Sequence, residues 1–165
     1  MDLGNLKIIK NLIDGELELY STLNNQFEEK RKILVSNSVD ELLSIDEKIL
    51  NTVDSIKSSV NHRQKLASKF GIYATNLSQL IVLSQEIDEE VANEFKISQE
   101  KINELISQIA HKERIIKELI RHGMNIVNKT LNMISNATSI AGDYNNLGQS
   151  VQGEIGRISS VVEEV

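Results

Sequence analysis

The feature that most constrains the fold is one long stretch, residues 87–140, in which apolar side chains recur at helical spacing with no proline to interrupt them. Their steps of three, four, seven or eight residues place one apolar stripe along one face of a helix. At a rise of ~1.5 Å per residue, this helix would be about 80 Å long. The members of the stripe are Val91, Phe95, Ile102, Leu105, Ile109, Ile116, Leu119, Val127, Leu131 and Ile134.

The two halves of this stretch differ in charge. Fifteen charged side chains lie between Glu86 and Arg121, whereas residues 122–142 contain only Lys129 and are otherwise apolar or rich in Asn, Ser and Thr. A helix surface with few charges costs little to desolvate. The second half is therefore expected to be the place where a partner docks.

Two shorter helices are expected before this stretch, at about residues 5–34 and 39–70, because apolar residues follow a heptad-like seam in each. A turn this short makes the two helices antiparallel. Ser38 and Glu41 have the spacing of a capping box, and Gly71 suits the residue that follows a helix end. A short helix near 76–83 is expected to cap one end of this pair, and Ser84 is expected to be the N-cap of the long helix.

The expected fold is all-α: an antiparallel bundle of long helices within a single domain, residues 1–140, followed by a mobile tail, 141–165. Each of the first two helices would be about 45 Å long, so part of the 80 Å helix would have no partner in its own chain unless it bends at Gly123. Glycine and asparagine are frequent in the tail, which disfavours independent order. Its last part, 151–165, still has apolar residues at helical spacing: Val151, Ile155, Ile158, Val162 and Val165.

Composition argues against several classes of function. The chain has no cysteine, only six aromatic residues and a net charge of −6, which disfavour thiolate chemistry and nucleic-acid binding. No motif for metal, phosphate or nucleophilic chemistry occurs, so an enzyme or a cofactor is not expected. No apolar run approaches the ~18 residues of a membrane span, and the first residues lack a secretory signal. A cytoplasmic protein is the expectation.

The candidate binding residues lie in the charge-poor half of the long helix. Methionines there adapt to irregular partners, and asparagines at steps of three and four place a row of amides along one face. Two ordinary interpretations stay open: the methionines fill a core, or the asparagines form an uncharged solvent face. The candidates are Met124, Asn125, Ile126, Val127, Asn128, Leu131, Met133 and Ile134.

Several short motifs together resemble one known family. They are Glu16-Leu17-Glu18-Leu19-Tyr20, Glu29-Lys30-Arg31, Val39-Asp40-Glu41-Leu42, His62-Arg63, Phe70-Gly71-Ile72, Leu77-Ser78-Gln79-Leu80, the pair Asn125 and Asn128, and Asp143-Tyr144-Asn145-Asn146-Leu147-Gly148. In this order the motifs are similar to those of FlgN-type flagellar export chaperones. The resemblance covers roughly residues 5–148.

The resemblance implies a binding function. It implies that the clients are the hook–filament junction proteins FlgK and FlgL, whose terminal segments would be captured as helices, and that the chaperone docks on the export-gate protein FlhA, with Tyr144 as the candidate contact. A second hypothesis is a homo-oligomeric coiled-coil structural or adaptor protein, since a surplus helix can also pair with its own copy. Weak homodimerisation is compatible with both hypotheses.

Overall fold

A computed structural model describes residues 2–36, 38–73 and 76–142, of which residues 137–142 are described by their backbone alone. Four α-helices account for nearly all of these residues: α1 (Leu3–Ser36), α2 (Val39–Lys69), α3 (Leu77–Gln85) and α4 (Glu89–Gly142). The all-α fold class is confirmed, and each helix bound lies within two residues of its expected position.

The chain divides into two units, Met1–Leu119 and Ile120–Val165. The first contains α1, α2, α3 and the first part of α4. Within the described residues, the second consists of α4 from Ile120 onward. The sequence suggested a single domain, residues 1–140, and left a bend at Gly123 open; α4 is continuous through Gly123.

In the first unit, α1 and α2 form an antiparallel hairpin. Glu16 pairs with Arg63, and Lys30 further along α1 pairs with Asp46, which lies earlier in α2. α4 runs parallel to α1, because Ser98 donates to Asp14 while Gln108 and Lys112 both bond to Asn24 further along.

The core of this unit lies where α3 covers the start of α1, the end of α2 and the start of α4. Phe95 and Ile9 are fully buried at its centre. Apolar residues from all four helices and from the α2–α3 connection contribute, as expected for a cap on one end of a hairpin: Leu6, Ile9, Ile13, Ala67, Ile72, Leu80, Val91, Phe95 and Ile102.

The end of α2 confirms the role expected for Gly71. Its φ of 72° is left-handed, a conformation that glycine adopts without steric cost. The Ile72 N–H donates to the Ala67 carbonyl and the Gly71 N–H to the Ser68 carbonyl, which is the pattern of a Schellman motif. Ile72 and Ala67 are both buried in the core, so the motif also anchors the chain as it leaves the helix.

The capping box expected for α2 and the N-cap expected for α4 are both wrong. Ser84 is a fully buried residue of α3, where its hydroxyl donates to the Ile81 carbonyl. The start of α4 is capped instead by Asp88, whose Oδ1 accepts from the N–H groups of Glu90 and Val91. Ser38 does precede α2, but its side chain makes no capping hydrogen bond, so the capping box with Glu41 does not form.

Candidate binding surface

The candidate surface lies on α4 within the second unit, and its centre is an apolar stripe formed by Met124, Val127, Leu131 and Ile134. These side chains are exposed by 61%, 57%, 57% and 55%. At about 100° per residue, an α-helix brings all four within an arc of about 80°. The stripe is therefore a continuous exposed apolar strip roughly three turns long.

The two sides of the apolar stripe differ. Ile126 and Met133 are also exposed and widen the apolar surface to about half of the helix circumference. Asn128 borders the opposite side, with Asn125 beyond it, and both are exposed. The arrangement offers apolar contact area beside a margin of amide donors and acceptors.

Charge is nearly absent from this surface. Lys129 is the one charged residue between Met124 and Ile134, and helical geometry places it roughly opposite the apolar stripe. The Thr130 hydroxyl is turned inward along the helix, where it donates to the Ile126 carbonyl. A partner covering the stripe would not need to desolvate a charged group.

The structure thus places all eight sequence-predicted residues on one exposed helical segment, with Ile126 and Met133 on one side of the stripe and the asparagines on the other. Exposure of Met124 and Met133 speaks against the interpretation in which they fill a core. Tyr144, the candidate contact for the export gate, lies outside the described residues.

Sequence reasoning did not single out a second exposed apolar row. Val39, Leu43 and Leu50 on α2 are exposed by 65–70%, at spacings of four and seven residues. The seam chosen for α2 passed through neighbouring residues such as Ile45, which is buried. The missed signal was that α2 carries apolar residues at more positions than one buried seam requires.

One ionisable group in the first unit has a perturbed pKa. Burial raises the pKa of the Tyr20 hydroxyl, the negative charge of Glu16 raises it further, and the positive charge of Arg63 partly opposes both. Glu16 and Arg63 form a buried ion pair between α1 and α2, and Tyr20, one turn further along α1, packs against the hydrophobic core.

The described part of the chain offers no grouping of three or more His, Cys, Asp or Glu side chains able to hold a metal ion. Within the same residues, no helix is both long and apolar enough to cross a membrane. What the fold and surface define is an all-helical protein with a long exposed helix face suited to binding another helix.

Comparison with known protein families identifies a match. The sequence model of the FlgN family, described as FlgN protein, matches residues 1–152, and the chain belongs to this family. No curated protein and no solved structure matches it. Membership confirms the resemblance drawn from the motifs and indicates a flagellar export chaperone, a protein that binds flagellar clients.

Proposed function

We propose that the protein is a cytoplasmic chaperone that captures the C-terminal helical segment of FlgK and FlgL on the apolar stripe of α4, prevents their premature assembly and delivers them to the export gate. The observation that supports this proposal is the exposure of Met124, Val127, Leu131 and Ile134 on a helix whose surface there is almost uncharged. The binding mode is helix-in-groove recognition, in which an amphipathic client helix lays its apolar face on the stripe.

The exposed side chains supply enough free energy for reversible capture. Complete burial of an aliphatic side chain stabilises a complex by about 1.5–3 kcal/mol, so six side chains already partly buried would contribute on the order of 5–10 kcal/mol before costs. Ordering the client helix and losing its translational freedom consume much of this. The result is an affinity that allows release at the export gate without nucleotide hydrolysis by the chaperone.

The asparagines contribute register rather than affinity. Asn125 and Asn128 lie on one side of the apolar stripe, where their amides can pair with polar groups of a client helix. A misaligned client would leave such groups unpaired at the edge of the contact, which costs free energy without clashing.

A peptide with the FlgK C-terminal sequence tests the capture step. Binding to Leu131→Asp is expected to be at least about thirtyfold weaker than to wild type, because removing a central apolar anchor costs about 2 kcal/mol or more. His122→Asp is the matched control: it places the same charge on the same helix segment, on the side opposite the stripe, and should bind like wild type. Equal affinity in Leu131→Asp and wild type would refute the assignment of the surface.

Delivery to the gate is proposed to involve Tyr144. Tyr144 follows the described end of α4 by two residues in the sequence, and tyrosine is a frequent anchor in protein interfaces. In a pull-down with the cytoplasmic domain of FlhA, Tyr144→Ala loaded with client should be retained less than the loaded wild type. Undiminished retention would exclude Tyr144 as the contact.

The alternative function is a homo-oligomeric coiled-coil adaptor, and the same exposed stripe with heptad-like spacing supports it. Sedimentation at micromolar concentration separates the two. A chaperone waiting for its client should be mainly monomeric, whereas an adaptor should be a stable dimer that Leu131→Asp dissociates.

A further inference from the structure

The surface on α4 has the same apolar spacing as a later segment of the same chain. The apolar stripe, counted from Ile120 at the start of its unit, advances by steps of four, three, four and three residues through Met124, Val127, Leu131 and Ile134. Residues 151–165, here called the C-terminal segment, advance by the same steps through Val151, Ile155, Ile158, Val162 and Val165. Both are therefore single heptad seams of equal length.

We propose that the C-terminal segment forms a helix that packs antiparallel on the apolar stripe of the same chain and occupies it when no client is bound. One register aligns four residues of each seam, because three consecutive steps along α4 then match three steps back along the segment, with Ile120 and Val151 beyond the aligned part. It pairs Met124 with Val165, Val127 with Val162, Leu131 with Ile158 and Ile134 with Ile155. In antiparallel helices this alternation brings each apolar side chain against one from the other seam.

The connection has a suitable length and composition. The described part of α4 ends at Gly142, and 23 residues, 143–165, follow it. In the register above, Gly142 lies opposite Leu147, which leaves the four residues Asp143, Tyr144, Asn145 and Asn146 to reverse the chain. Loops of 2–5 residues join antiparallel helices in such hairpins, and Asp and Asn favour turns.

The composition of the C-terminal segment predicts that it binds the apolar stripe weakly. Gly153 and Gly156 lie inside it, and each costs a helix about 1 kcal/mol relative to alanine. A helix of 15 residues is marginal alone, so this one would form only against a partner. A client helix without interior glycines would displace the C-terminal segment. This competition rests on the proposed function. Occupation of the apolar stripe by the segment does not rest on it.

The absence of cysteine from the chain permits a direct test. The double variant Leu131→Cys with Ile158→Cys, in the full chain and without client, should form a disulfide within one monomer. Its matched control, Lys129→Cys with Ile158→Cys, places the first thiol on the far side of α4 and should oxidise at least about tenfold more slowly, because a disulfide needs Cα atoms within about 7 Å. Both α4 positions are exposed, and circular dichroism verifies that the variants keep their helices.

The outcomes discriminate between occupants. A disulfide that links two chains would show that a second copy covers the stripe and would overturn the proposal, as would equal oxidation rates of the two double variants. Monomeric, register-selective oxidation supports it.

A second measurement separates regulation from client binding. If the C-terminal segment covers the stripe nine-tenths of the time, Ile158→Asp should bind the FlgK peptide about tenfold more tightly than wild type, since apparent affinity scales with the uncovered fraction. Ser160→Asp, on the opposite face of the segment, should leave the affinity unchanged. Unchanged affinity in Ile158→Asp would overturn the competition. Absence of peptide binding to any variant would overturn the proposed function and leave the disulfide result standing.

Discussion

At the residue scale, the ion pair between Glu16 and Arg63 shows how polar groups can specify a helical bundle. Arg63 Nε lies 2.7 Å from Glu16 Oε1, and the two side chains are only 9% and 2% exposed. Both occupy positions on α1 and α2 where the seam would otherwise carry apolar residues. Burying the charges costs desolvation free energy, which their attraction and hydrogen bond offset only while both are present.

Removing one partner of this pair should therefore be costly. Arg63→Ala is expected to lower the free energy of unfolding by about 3–5 kcal/mol, because it leaves the Glu16 carboxylate buried and unpaired. Urea unfolding followed by circular dichroism measures the change. Lys117→Ala is the control: its pair with Glu113 is exposed and should contribute less than about 0.5 kcal/mol. Similar losses in both variants would contradict this account.

Tyr20 gives the same region a pH dependence. Its hydroxyl pKa is raised above the ordinary value of 10.0, so the folded protein keeps the proton at a pH where the unfolded chain releases it. Stability from this group is fully present below about pH 10 and is lost as the pH rises through the raised pKa. The free energy of unfolding of wild type should therefore fall between pH 8 and pH 11 by more than that of Tyr20→Phe, which has no hydroxyl to ionise. Urea unfolding of both proteins at the two pH values measures the difference. An identical pH dependence would exclude the effect.

At the element scale, the two helix starts whose side-chain caps were predicted wrongly make a matched pair of variants. Asp88→Ala is expected to destabilise the protein by about 1 kcal/mol, because it removes the side chain that accepts from two N–H groups at the start of α4. Ser38→Ala should change stability by less than half of that, since Ser38 makes no side-chain cap. Thermal unfolding of both variants measures the difference, and a larger effect at Ser38 would contradict the assignment of the caps.

The helices themselves were predictable, whereas their ends depended on tertiary structure. Periodicity located all four elements, and Gly71 marked the end of α2 because few other residues adopt its φ. Ser84 and Asp88 are both acceptable caps by type, and the sequence could not show that α3 extends through Ser84 and buries it. Likewise Glu16 stands in a seam by spacing, but only the packed bundle shows that Arg63 is opposite.

At the scale of the whole molecule, burial differs between the two parts of α4. In the first unit Phe95 and Ile116 are 0% and 3% exposed, whereas in the second unit the apolar residues from Met124 to Ile134 are each more than half exposed. Charge depletion of residues 122–142 pointed to the same segment from the sequence, but whether its apolar residues are exposed could be read only from the fold.

Hydrogen exchange should locate the client on this segment. Adding the FlgK peptide is expected to slow amide exchange across residues 124–134 at least about tenfold, because a docked helix adds to the free energy of local opening. Exchange at Ile45–Ile56 in α2 should stay unchanged, and Leu131→Asp should show little slowing anywhere. Protection confined to the exposed row on α2, Val39, Leu43 and Leu50, would move the binding surface there.

The near absence of charge around Lys129 has a consequence for how a bound partner can dissociate. Adhesion between uncharged surfaces is almost unaffected by ionic strength, because there is little Coulomb attraction for salt to screen. Changes in the ionic strength of a cell would therefore leave the affinity between the apolar stripe and its partner nearly unchanged. Release of the client would then require either a pulling force on the client or a competitor that binds the same apolar stripe.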